Sequence, residues 1–269
     1  MANAAFELKA RLDRIVDALS GPGRALFSFA IMALGVETMV CARVAQNPLG
    51  PGYLAIPVLP WLPAIPWVAV LFGAIWTACG VGLLTRRGLR ISAMVLGVLL
   101  TACALVLVAP KYVASPGDMG LRTVVLEPLA LAALALLMAD RDAMPAWVWR
   151  ASRVTIALAL IVFGVDHFLA LAGIGALVPS WIPWHVFWIA FFGAAFIAGG
   201  LSIGLGILER WGAAGIGLMF GIWVVTLHLP RTLGFYGIPG ALQDPDEWSS
   251  MFIAIGLWGG AWALTRKRK

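Results

Sequence analysis

Apolar residues run along this chain in blocks of about 20, the length of helix that crosses a hydrocarbon core about 30 Å thick. Eight such blocks occupy 25–43, 67–85, 91–109, 123–139, 154–172, 186–208, 211–229 and 249–264, with proline, glycine or charged residues between them. Backbone groups in lipid must satisfy each other within a segment, so the blocks predict an all-α integral membrane protein with eight transmembrane helices. Ahead of the first block, Leu8, Leu12, Ile15, Val16 and Leu19 recur at helical spacing among Lys9, Arg11, Asp13, Arg14 and Asp17. Residues 1–24 therefore read as a cytoplasmic amphipathic segment closed by Gly21-Pro22-Gly23, lying in the headgroup region or packed on the cytoplasmic loops. Charges throughout this segment argue against a cleavable signal peptide.

The composition agrees, with 62% hydrophobic and only 12% charged residues. The net charge of +6 would point to nucleic acid in a soluble chain, but here the basic residues sit in short loops and the tail. No nucleic-acid partner is expected. Basic loops are retained on the cytoplasmic side. With the N-terminus inside, Lys9, Arg11, Arg14, Arg24, Arg86, Arg87, Arg90, Arg141, Arg150, Arg153, Arg210 and the tail Arg266-Lys267-Arg268-Lys269 all face the cytoplasm. Only Arg43, Lys111, Arg122 and Arg231 fall on the outer side. Both termini are thus placed in the cytoplasm of a bacterial inner (plasma) membrane, which an even number of spans requires.

The blocks also repeat. Gly35-Val36-Glu37-Thr38 matches Gly164-Val165-Asp166-His167, Phe72-Gly73 matches Phe192-Gly193, and Pro110-Lys111 matches Pro230-Arg231. Two four-helix repeats of the same orientation follow, one over 25–140 and one over 151–265, with a basic tail at 266–269. Each carries a Pro- and Trp-rich segment after its first span: Pro57, Pro60, Trp61, Pro63, Pro66 and Trp67, then Pro179, Trp181, Pro183, Trp184 and Trp188. Such segments are either an interfacial aromatic belt or a lid over a site, where Trp181 and Trp184 would touch substrate.

Charges inside a bilayer cost several kcal/mol unless paired, so acids within spans are informative. Glu37 and Asp166 are equivalent in the two repeats, and Glu127 precedes Pro128 in the fourth span. The outer-side bases predict two ion pairs, Glu37 with Lys111 and Asp166 with Arg231, as ligand-holding groups or as locks between helices. All three histidines, His167, His185 and His228, fall in the second repeat, opposite Thr38, Ile65 and Val108 of the first. Asp166, His167, His228 and Arg231 are expected to converge near the outer leaflet. There an imidazole can exchange a proton, Asp166 can orient it and Arg231 can hold a ligand oxygen. A metal centre fits less well, because adjacent Asp166 and His167 point about 100° apart on a helix. Cys41, Cys79 and Cys103 form no C-x-x-C motif and lie at different depths, which suits buried apolar roles.

The run Phe163-Gly164-Val165-Asp166-His167-Phe168, then Leu177-Val178-Pro179, Trp181-Ile182-Pro183, the glycine-rich stretch from Phe192 to Gly206, and Leu227-His228-Leu229-Pro230-Arg231 together resemble the DoxX-like family of small four-helix membrane proteins. The resemblance covers roughly 151–265, and the first repeat looks like a divergent copy. Relatives include the membrane subunit of a thiosulfate:quinone oxidoreductase and partners in membrane oxidoreductase complexes. The resemblance implies a pocket for a quinone-like or other small hydrophobic molecule, oxidoreductase function, and a soluble or membrane redox subunit as partner. From the pattern of charges, histidines and tryptophans, Asp166, His167 and His228 are expected as catalytic groups and Arg231, Glu37, Lys111, Trp181 and Trp184 as substrate contacts. A transporter or lipid-binding protein without catalysis, and a structural subunit of a larger complex, stay open beside it.

Overall fold

A computed structural model describes residues 2–44, 66–85, 87–139, 144–238 and 240–267, and among them every regular element is helical. The amphipathic segment forms α1 (Ala2–Ala18), and the first long helix follows at once as α2 (Ser20–Val44). The break falls at Leu19, because Gly21-Pro22-Gly23 is taken into the first turn of α2, where proline is tolerated. Next come α3 (Pro66–Leu84) and α4 (Leu89–Ala102), which widens into a π segment (Cys103–Val108) and ends as α5 (Ala109–Ala114). The first part of the chain closes with α6 (Met119–Met138).

The second part runs through α7 (Ala146–Leu169), the short α8 (Leu171–Gly175), α9 (His185–Leu205) and α10 (Glu209–Trp223). A second π segment (Val224–His228) leads into α11 (Leu229–Thr232), and α12 (Pro245–Ala263) completes the bundle. Among the described residues, seven helical stretches are long and apolar enough to cross a membrane. The chain is therefore an all-helical, multi-pass membrane protein. The eighth long helix, α12, has 19 residues but opens on Pro245-Asp246-Glu247, and it falls outside those seven.

Proline accounts for the widened turns. Its ring cannot donate to, and crowds, the carbonyl four residues back, and a π turn moves that carbonyl aside. Pro110 and Pro230 each follow a π segment by two residues. The carbonyl freed by Pro230 belongs to Thr226, and the Tyr236 hydroxyl donates to it. Two helix starts are capped by acids: at α6 Asp118 Oδ1 accepts from the Leu121 amide at 3.0 Å, and at α12 Asp244 Oδ1 accepts from the Asp246 amide at 2.9 Å.

Helices in lipid gain little from the hydrophobic effect on meeting, so close packing at small residues must hold them. A Cβ added to Gly35 of α2 would lie 2.6 Å from the Gly73 carbonyl of α3, and one on Gly164 of α7 2.6 Å from the Gly193 carbonyl of α9. Two turns along, a Cβ on Gly80 would lie 2.9 Å from the Ser28 carbonyl, and one on Gly200 2.8 Å from that of Ala157. The fourth long helix of each part also reaches the other part: α6 packs on α4 and α7, and α12 on α10 and α2. The two cross at Gly256 and Gly260, which face Leu131 and Leu134.

Between the helices lies one continuous core that includes Phe27, Ile31, Leu96, Leu131, Leu160 and Phe196. Phe29, Leu71, Val98, Leu158 and Leu218 point outward, as lipid-facing positions do. At the end where α10 starts and α12 finishes, Arg210 draws in α1, 3.8 Å from Asp13 and 3.4 Å from Asp17. Phe6, Leu8, Leu12 and Ile15 are left exposed. The opposite end of the bundle carries the last turn of α7, the segment between α8 and α9, and the start of α12.

Candidate functional site

A cavity of about 750 Å³ opens at that opposite end, a size suited to a small-molecule site. Its wall draws on α7, the segment after α8, α9, α10 with its π segment, α12 and, from the first part of the chain, α6. Aromatic side chains dominate, with Phe163, Phe192, Phe196, Phe220, Trp188 and Trp223 among them. The polar lining consists of Thr123, Glu127, Asp166, His167, Thr226, His228 and Ser250.

The last full turn of α7 supplies the centre of the site. Asp166 and His167 are both buried there, at 7% and 6% exposure. The expected partner of Asp166 was Arg231; the actual one is Arg122 from α6, whose Nη2 donates to Oδ1 and whose Nε donates to Oδ2 at 3.3 Å. This forked pair ties α6 to α7 at the cavity. His167 takes nothing from Asp166 either. Its Nδ1 lies 2.7 Å from the Phe163 carbonyl, its ring stacks on Trp223 at 5.3 Å and 22°, and Phe196 stands 5.2 Å away. Its Nε2 is buried without a hydrogen-bond partner among the described residues.

Other expectations need correction as well. Arg231 turns away from the cavity: its Nε lies 2.7 Å from both carboxylate oxygens of Glu247, an acid only 16 residues along the chain. Glu37 pairs with no lysine, accepting instead from Ser249 Oγ at 2.8 Å, while Lys111 is exposed. Physically, α12 fills the space beside α2 and offers a hydroxyl where an ammonium was expected. Glu37, Lys111 and Arg231 therefore do not join Asp166, His167 and His228 at the cavity wall. His228 lines the cavity from the π segment, and among the described residues no hydrogen bond joins it to Asp166. His185 begins α9 and stands outside the lining.

Trp181 and Trp184 line the cavity mouth while remaining 64% and 76% exposed, and Trp184 takes a left-handed conformation at φ 61°. Of the corresponding earlier segment, Pro57, Pro60, Trp61 and Pro63 lie outside the described residues. All three cysteines are buried and free. No group of three histidine, cysteine or acidic side chains among the described residues is placed to hold a metal ion.

Arg122 and Thr123 of α6, Thr226 and Ser250 escaped the sequence reading, and Glu127 of α6 was visible there only as an acid within a span. Thr123 and Glu127 are four apart and so share a helical face. The available clue was an arginine one turn after a helix-capping Asp118, at the same end of the bundle as Asp166. Comparison with known proteins brings no match: no family model fits the chain, and neither a curated protein nor a solved structure is similar to it.

Proposed function

We propose that this protein holds a flat, lipid-soluble molecule of the quinone class in the α7–α10 cavity, and that it serves membrane oxidoreductase chemistry with electrons supplied by a partner redox subunit. The observation that carries this reading is His167: a buried imidazole nitrogen without a partner among the described residues, in a cavity walled mainly by aromatic and aliphatic side chains. The aromatic lining suits a ring, and the polar groups suit its oxygens. A bound quinone would supply redox chemistry that the chain's own residues lack. Their part is to hold the ring and exclude water, with His167, His228 and Glu127 available for protons.

The same reading takes α12 as an eighth span and the chain as two parallel DoxX-like four-helix repeats with both termini in the cytoplasm. Supporting it are the matched glycine crossings at Gly35/Gly73 and Gly164/Gly193, the two π segments before Pro110 and Pro230, and the aspartate caps of α6 and α12. The DoxX-like assignment itself rests on the sequence runs of 151–265.

Gentle purification with native lipids, followed by organic extraction and mass spectrometry, tests the pocket. A quinone near one per chain, absent from a folded Ser250→Phe variant that fills the cavity, is the expected result. Phospholipid alone would favour a lipid-binding protein, and an empty wild-type pocket would overturn the reading.

A further inference from the structure

The hydrogen-bonding state of His167 specifies more than a ring-shaped occupant. A backbone carbonyl can only accept, so the nitrogen 2.7 Å from the Phe163 oxygen carries a hydrogen. In the neutral ring Nε2 then has none and can only accept. Two features keep the ring neutral: it is packed against Trp223 and Phe196, and the adjacent carboxylate of Asp166 is already matched by Arg122. The site therefore contains a buried acceptor waiting for a donor. A quinone carbonyl brings only lone pairs and would face Nε2 acceptor to acceptor; a hydroxyl brings the missing hydrogen.

We infer that the cavity selects the hydroxyl-bearing form of its ring, a quinol or other phenol, whose O–H donates to Nε2 of His167. This rests on the quinone-class reading above and narrows it to the reduced state. A natural control stands at Thr38 of α2, the counterpart of His167. Its Oγ1 donates to the Leu34 carbonyl at 2.7 Å, the same bond four residues back that Nδ1 makes to Phe163, but it offers no second nitrogen.

The test uses the full-length protein in detergent and three probes sharing one short alkyl chain: a 1,4-benzoquinone, its hydroquinone kept reduced without oxygen, and the dimethyl ether of that hydroquinone. Binding is read by equilibrium dialysis. The hydroquinone is expected to bind about tenfold tighter than the quinone, the value of one well-made buried hydrogen bond. The ether keeps ring and chain but has no donor, so it should bind no better than the quinone; this arm needs no variant to fold. His167→Thr, which can keep the backbone bond as Thr38 does, should erase the preference, bringing the hydroquinone down to the affinity of the quinone in the same variant. His167→Phe, which keeps a ring against Trp223, should do the same. Equal or tighter binding of the quinone, or an ether as good as the hydroquinone, overturns the inference and leaves the pocket reading standing. Failure of all three probes to bind removes the pocket reading itself.

Discussion

The crossing of α2 on α3 and that of α7 on α9 use the same contacts and reach different ends. In both, glycines meet backbone to backbone, and a polar residue one turn from the crossing returns a hydrogen bond to the carbonyl four residues before it. Beside the first crossing Thr38 turns its hydroxyl back to Leu34, and Ser249 donates to Glu37. Beside the second, His167 replaces the threonine, Arg122 secures the acid, and a cavity of about 750 Å³ remains open. A binding site in this bundle thus needs no new backbone. It needs a side chain with a spare nitrogen and a neighbouring helix that pairs the acid without filling the space.

The sharpest break in that comparison is expected at Arg122. Arg122→Ala strands the Asp166 carboxylate in the bundle, and losing one partner of a largely buried pair costs about 3–5 kcal/mol. Thermal unfolding in detergent should fall steeply, and Asp166→Asn added to Arg122→Ala should recover much of the loss by removing the stranded charge. Ser249→Ala at the other crossing removes a single hydroxyl bond to Glu37 and should cost only about 1 kcal/mol. Comparable losses at both positions would mean the two acids sit in equivalent settings after all.

Next in size are the glycines. Gly164→Leu and Gly35→Leu each force a side chain against a carbonyl of the facing helix, where a bare Cβ would already stand at 2.6 Å. Each should cost about 1–3 kcal/mol or more through separation of the helices. Their effects on ligand should differ: Gly164→Leu should abolish retention of any extracted ring compound, while Gly35→Leu should destabilise the protein without emptying the cavity in the fraction that folds. Mass spectrometry of lipid-retaining preparations, with unfolding curves on the same samples, separates the two.

These contrasts also show what could be read from the chain in advance. The long helices were legible because about 20 apolar residues and flanking breakers specify a segment without reference to its neighbours, and α3, α6 and α9 end within a few residues of their expected limits. Asp166, His167 and His228 stood out in the sequence because ionisable groups are costly in lipid, and all three line the cavity. Partner choice was not, because depth along one helix does not say which helix stands beside it. Lys111 and Arg231 share a helix end with Glu37 and Asp166, yet α6 and α12 each cross to the other part of the chain and bring Arg122 and Ser249 to those acids. Glu127 was visible as an acid in an apolar run, but its place in the cavity depends on that same crossing of α6 onto α7.

The smallest expected effects concern the two bases once expected to hold ligand. Arg231 grips Glu247 through a charge-assisted bond at 2.7 Å, and Thr232 Oγ1 donates to the Glu247 carbonyl at 3.1 Å, so this corner fastens α11 to α12. Arg231→Ala should cost about 1–2 kcal/mol of stability, as loss of a partly exposed charged hydrogen bond does. Ligand content should stay unchanged, because Arg231 lies outside the cavity lining. Lys111 occupies the matching place after Pro110 but is exposed and has no ion pair among the described residues. Lys111→Ala should shift stability by less than about 0.5 kcal/mol. A loss of bound ring compound in Arg231→Ala, at undiminished stability, would bring Arg231 back to the pocket and require the α11 corner to open when ligand binds.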